Sequence, residues 1–266
     1  MTILVLGGTG KTGRRVASAL DALGVANRPV SRHTDPRFDW SDRSTWAAAL
    51  DGVTAVYLVA VSMDLDDSGV AAFVPRAVEA GARRVVLLSA RGIPPEDGRE
   101  RAVRASGVDW TILRPTWFAQ NFSEDYFLPE ILAGEVVLPA GGDGGHPFID
   151  ARDIADVAVA ALTQDGHAGA GYDLSGPEAV SFRDAVARIA DVSGRSIRVT
   201  EVPPAEYTDA LVRSGFAPAY AEVLTGSLAA IRDGRDAALS DGVPSVLGRE
   251  ARRFEDYVEE TAAAWS

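Results

Sequence analysis

The chain has 266 residues, 47% apolar and 24% charged, with a formal net charge of -12 and no cysteine. This is the composition of an ordinary globular protein, long enough for one α/β domain with a smaller part appended. Disulfides, thiolate nucleophiles and cysteine-held metals are excluded, the acidic balance argues against a nucleic-acid partner, and no apolar run approaches the roughly 18 residues of a membrane helix. The expectation is a protein of the cytoplasm with no membrane segment.

Strand-like and helical patterns alternate through the first half. "TILVL" is a buried strand and "GRRVASALDAL" has helical spacing after it. "ANRPVSR" reads as a weak second strand, "RFDW" as a short third and "STWAAALDG" as a helix. "TAVYLVAV" is a strongly apolar strand, "GVAAFVPRAVEAG" a helix with Pro75 inside it, and "RRVVLLSA" another buried strand. "GRERAVRASG" is a helix stopped by Gly107, followed by the strand "DWTILRP". Near-continuous apolar strands separated by helices predict a doubly wound parallel sheet of Rossmann type, covered on both faces.

After Pro115 the rhythm loosens. "NFSEDYFLPEILAG" is predicted helical, "EVVLP" a short strand, and "GGDGGHPFID" a glycine-rich loop. "ARDIADVAVAALTQ" has the spacing of a helix packed on the sheet. "GYDLSG" and "SIRVTEV" read as strands around the helix "SFRDAVARIADVSG", and from Pro203 helices dominate. The expected division is a dinucleotide-type domain over 1–150, with 151–175 returning to the sheet. A smaller, mainly helical substrate lobe follows over 176–266; its helices could wall a substrate cleft, form a homodimer surface, or both.

Gly7, Gly10 and Gly13 form G-x-x-G-x-x-G between the first strand and the first helix. The string also contains G-K-T, but a triphosphate loop needs a glycine five residues before Gly10, and Val5 stands there. A dinucleotide turn has a mechanism here. Gly7 permits the tight turn, Gly10 lets backbone approach a pyrophosphate, and Gly13 allows close helix–strand packing. Free N–H groups and partial positive charge at the helix start then face the anion. The second strand ends in Ser31-Arg32-His33 with no acid before Asp35, so Arg32 suits a 2′-phosphate. NADP(H) is favoured as cofactor, with NAD(H) left open.

Taken together, "GGTGKTGRRV", "FDWSD", "AVYLV", "GVDWTILRPTWFAQNF" and "PFIDARDIADVAVAAL" resemble the NmrA-like branch of the atypical short-chain dehydrogenase/reductases. The nearest patterns are those of bacterial quinone-reductase-like proteins and ergot-alkaloid-type reductases. The resemblance runs from Thr2 to about Ser175 and fades beyond. It implies NADP(H) held by Gly7, Thr9, Gly10, Lys11, Thr12, Gly13, Arg32 and Asp39. It also implies contacts from the strand ends: Val59, Ala60 and Val61, then Ser89 and Ala90, then Pro115, Thr116 and Phe118. Within the family some members transfer hydride, and others sense the dinucleotide as regulators without turnover.

The wider superfamily uses Tyr-x-x-x-Lys, in which lysine lowers the tyrosine pKa for proton transfer. Lys11 is the only lysine in this chain, so none of its six tyrosines can form that pair. A quinone or other conjugated acceptor needs no dedicated proton donor, so the reading moves toward a planar, aromatic or polyketide-like substrate. Met63, Trp117, Asn121, Phe122 and His146 are the expected substrate contacts. Ser89 and His146 are the candidate catalytic groups, His146 because an imidazole in a glycine-rich loop titrates near neutrality. No metal-ligand spacing is present.

Overall fold

A computed structural model describes residues 1–60, 67–94, 96–139 and 143–266. The first half alternates β1 (Ile3–Leu6), α1 (Gly13–Ala22), β2 (Asn27–Val30), α2 (Trp46–Leu50), β3 (Ala55–Val59), α3 (Ser68–Glu79), β4 (Arg84–Leu88), α4 (Gly98–Arg104) and β5 (Asp109–Pro115). Then come α5 (Leu128–Ala133), β6 (Glu135–Pro139), β7 (Gly145–His146), α6 (Ala151–Thr163) and β8 (Ala170–Leu174). The chain ends with β9 (Val180–Ser181), α7 (Phe182–Ser193), β10 (Arg198–Val202), α8 (Pro204–Arg213), α9 (Pro218–Arg232), α10 (Gly242–Leu247) and α11 (Phe254–Glu260).

Six strands form one parallel sheet in the order β2-β1-β3-β4-β5-β8. Alternation along β1 explains why every residue of it is apolar. Ile3 and Val5 join the core under α1 and α6, while Leu4 and Leu6 join the one under α2, α3 and α4. Burying each such side chain stabilises the fold by roughly 1.5–3 kcal/mol. The order reverses at β1, with β2 on one side and β3 on the other. That leaves a crevice at the strands' C-terminal ends, the place where open α/β sheets bind ligands. This is the Rossmann-type doubly wound sheet.

A second core lies outside the sheet. It joins Phe122, Phe127, Ile131, Val136 and Phe148 to Phe182, Ile189, Leu224, Phe254 and Trp265. Residues 119–139 and Phe148 therefore pack with the C-terminal lobe, although the expected division assigned them to the dinucleotide unit. In return α10 packs on α6 and β8. Strands β6 and β10 pair with each other, apart from the main sheet.

Several elements differ from expectation. "RFDW" is no strand; its Asp39 makes only an isolated bridge to Asp42, and Phe38 turns into an aromatic cluster with Trp40, Trp46 and Phe73. The stretch predicted as one helix from Asn121 begins as a short 3-10 turn (Ala119–Phe122), and only α5 is α-helical. The motif "MDLDDSG" falls largely outside the described residues, with Val61 and Met63. No helix among the described residues is long and apolar enough to cross a membrane.

Candidate active site

The glycine turn has the packing its sequence requires. Gly7 adopts φ +65° and its carbonyl accepts a 2.8 Å hydrogen bond from the Gly10 N–H. A Cβ on Gly13 would lie 2.2 Å from the Gly7 carbonyl oxygen, so only glycine lets α1 start this close to β1. Gly8, which the motif spacing does not single out, is equally constrained, because a Cβ there would sit 2.6 Å from the Pro29 side chain. Among the described residues the N–H groups of Thr9, Lys11, Thr12 and Gly13 have no backbone acceptor. A bare turn of donors at a helix start, with no room for side chains at its base, fits a dinucleotide pyrophosphate.

Arg32 is exposed just past β2 and makes no hydrogen bond or ion pair among the described residues. Asp39 is committed locally. Its carboxylate accepts from the hydroxyl and N–H of Ser41 and from Arg37, which hold its pKa down at about 2. Val59 and Ala60 are half-buried at the end of β3, and Ala90 is exposed just past β4.

Ser89 follows β4 and its hydroxyl donates a 2.7 Å bond to Glu100 Oε1. Glu100 is 0% exposed. Asp97 caps the start of α4 by accepting from the N–H groups of Arg99 and Glu100, which sets Glu100 in the first turn facing β4 and β5. Arg114 on β5 donates to both carboxylate oxygens at 2.8 and 2.6 Å, and Arg104 donates at 2.6 Å. Burial opposes the charge on Glu100, but the bonds from Arg114 and Ser89 and the two guanidinium charges outweigh it and hold the carboxyl below its usual range. This network escaped the sequence reading because "GRERAVR" looks like a solvated helix.

The chain leaving β5 is anchored from beneath. Pro115 and Thr116 are buried, and the Thr116 hydroxyl donates to the Pro147 carbonyl at 2.6 Å. His146 is not in an open loop. It lies in β7, paired antiparallel with β9, and is 0% exposed. Its Nε2 accepts from the Trp117 N–H at 3.0 Å, and burial, with the charge of Arg91, pushes its pKa down to about 3. A ring so buried and so weakly basic braces the Trp117 backbone; it is not the proton donor expected from sequence. Phe122 is likewise corrected: fully buried, it stacks on Phe127 and meets Phe148 and Phe254 edge-on in the second core, with no face for substrate.

Trp117 is half-buried and packs against Phe127, Phe182 and Tyr126. Asn121 accepts a 2.7 Å bond from Lys11 Nζ, which also pairs with Asp125 at 2.6 Å and lies 5.9 Å from the half-buried Phe118 ring. Arg14 and Arg15 both pair with Glu124. The structure thus joins Lys11, Phe118 and Asn121, and adds Glu124 and Asp125, which lie in the stretch predicted helical and were given no role there. Four of the six tyrosines, Tyr57, Tyr126, Tyr207 and Tyr257, have phenols pushed up by burial, the opposite of an activated acid.

Sheet, turn and crevice define a dinucleotide-binding protein of Rossmann type. Residues 7–165 match the family model described as NAD(P)H-binding. The chain is 37% identical to the (4-alkanoyl-5-oxo-2,5-dihydrofuran-3-yl)methyl phosphate reductase of Streptomyces griseus, over 99% of each protein. It is 33% identical to the festuclavine dehydrogenase of Aspergillus fumigatus, over 100% of this chain and 99% of that one. Among solved structures, an NADPH-dependent quinone oxidoreductase from Escherichia coli in complex with NADPH superposes with a TM-score of 0.75 at 22% identity, covering 98% of this chain and 99% of that one. The chain belongs to the NAD(P)H-binding family of atypical, NmrA-like short-chain dehydrogenase/reductases, and it is an NAD(P)H-dependent oxidoreductase.

Proposed function

We propose that this protein is an NADPH-dependent reductase that delivers hydride to a planar conjugated acceptor, a quinone or an unsaturated carbonyl ring, without a protein proton donor. The observation that carries this reading is the fate of the catalytic pair. The only lysine, Lys11, lies at the glycine turn in an ion pair with Asp125, and α4 carries Glu100 and Arg104 bound to each other. An acceptor that stabilises its own developing negative charge can take its proton from water; a simple ketone cannot do so readily.

The chain's own residues have positional tasks in this reading. The amides of Thr9, Lys11 and Thr12 bind the pyrophosphate, and Arg32 meets the 2′-phosphate, which sets the preference for NADPH. The bound dinucleotide supplies the hydride. Pro115 and Thr116, fixed by the Thr116–Pro147 bond, form one wall of the crevice; Trp117 and Phe118 offer flat apolar surface to a planar ring. The substrate named for the Streptomyces griseus relative is an unsaturated oxo-dihydrofuran, in keeping with a conjugated acceptor.

The test is NADPH consumption, followed by its near-ultraviolet absorbance, with a panel of quinones, unsaturated lactones and saturated ketones. Turnover with conjugated members and none with saturated ketones is expected. Tight NADPH binding without turnover on any acceptor would replace this reading with that of a dinucleotide sensor.

A further inference from the structure

The network at Ser89 fixes the polarity of a hydroxyl at the strand ends. An ionised carboxylate has no hydrogen to give, so the 2.7 Å contact between Ser89 Oγ and Glu100 Oε1 is donated by the serine. Glu100 cannot turn away from this role. It is fully buried, and each of its oxygens also accepts from Arg114, with Arg104 on Oε2 as well. The serine hydrogen is therefore spent inward. What remains on Oγ is lone pairs, and Ser89 sits at the C-terminal end of β4, between the ends of β3 and β5 on the crevice.

We propose that Glu100 is a positioning residue that makes Ser89 an obligate hydrogen-bond acceptor, and that its ligand is the carboxamide N–H of the nicotinamide. This rests on the reading of the crevice as the dinucleotide site. Ser89 is then no donor to the substrate oxygen, which removes the last side chain on β4 that could polarise a carbonyl. Its work is to fix the rotation of the carboxamide and, through it, the face of the ring turned to the acceptor.

The experiment compares dissociation constants for NADPH and its reduced acetylpyridine analogue, which keeps the ring carbonyl but carries methyl in place of the amide nitrogen. Binding is read by nucleotide fluorescence, with no acceptor present. The unaltered protein should prefer NADPH by about fivefold to tenfold, the size of one neutral hydrogen bond. Ser89→Ala should bring the two ligands within about twofold.

Glu100→Gln makes a sharper prediction. Its single oxygen is drawn to the two guanidinium donors on the Oε2 side, which outnumber the one Arg114 Nε–H on the Oε1 side, so its amide N–H2 faces Ser89. The serine then accepts inward and donates outward, toward a carbonyl that both ligands possess, and the preference should vanish although Ser89 is still present. A preference that survives Ser89→Ala overturns the assignment to the carboxamide. A preference that survives Glu100→Gln overturns the positioning role; should that variant not fold, Glu100→Asp, which withdraws the carboxylate from Ser89 by one methylene, must weaken the preference, and an undiminished preference in it overturns the role. These readouts use no acceptor, so a failure of turnover would count against the proposed reaction and leave this inference standing.

Discussion

Gly13, Arg32 and His146 each make a different kind of prediction. Gly13→Ala puts a methyl 2.2 Å from the Gly7 carbonyl, between two backbone segments that cannot both move. We expect a loss of about 1–3 kcal/mol in urea unfolding, the usual cost of overpacking, together with weaker dinucleotide binding. Arg32→Asp removes no hydrogen bond or ion pair among the described residues, so stability should hold while NADPH binding weakens at least tenfold and NADH binding changes little. Equal weakening of both would refute the 2′-phosphate assignment. His146 is a pH sensor of stability in spite of its buried, neutral state. Its folded pKa of about 3 lies below its ordinary 6.5. The unfolded chain therefore binds a proton that the fold refuses, and stability falls as pH drops from 6.5 toward 3. Thermal melts of His146→Gln should show a shallower decline across that window than the parent; parallel curves would contradict the burial of a neutral ring.

At the scale of elements, the contact between α1 and the segment after β5 is the feature the sequence hid. Arg14 and Arg15 hold Glu124, and Lys11 holds Asn121 and Asp125, so the glycine turn is tied to the segment that enters the second core. Burial opposes the Glu124 charge, but the bonds from Arg15 and Arg14 outweigh it and depress the pKa below 4.5. A depressed carboxyl stabilises the fold above its unfolded pKa and loses that effect as pH falls through the folded one. Glu124→Gln should cost on the order of 1 kcal/mol near neutrality and nothing at strongly acid pH, where the parent has lost the pair too. An equal cost at both pH values would show that packing matters here and the ion pair does not. Strand β1 was legible because both its faces are buried and every residue is apolar, and β4 because Val85 to Leu88 run apolar after Arg84. "RFDW" misled because Phe38 and Trp40 are apolar for an aromatic cluster with Trp46 and Phe73, which from sequence looks the same as strand alternation. Helix α10 carries Gly242 and Pro244, residues that oppose a helix in sequence; a Cβ on Gly242 would meet the Asp173 carbonyl at 2.2 Å, so the close packing on β8 requires glycine there.

For the whole molecule, the cofactor half of the site was readable because its signal is local: three glycines, a strand before and a helix after. The substrate half was not, because its residues come together only through tertiary packing. Phe122 and His146 lie in suggestive strings, yet the second core takes in one ring, and the other ring accepts a backbone N–H from Trp117. The network around Glu100, on which the proposed positioning role rests, became visible only once β4, β5 and α4 were brought together around it. What the whole fold retains is a dinucleotide crevice without the proton-donating pair of its superfamily. The most direct test follows deuterium from NADPH carrying two deuteriums at the nicotinamide C4 into a carbon of an unsaturated lactone, in single turnover and with mass analysis of the product. One deuterium per product, and a rate that tracks the acceptor's electrophilicity with no protein ionisation in its pH profile, is the expected result. A product without deuterium, or a rate governed by a titrating side chain, would contradict hydride transfer that depends on position and on the acceptor alone.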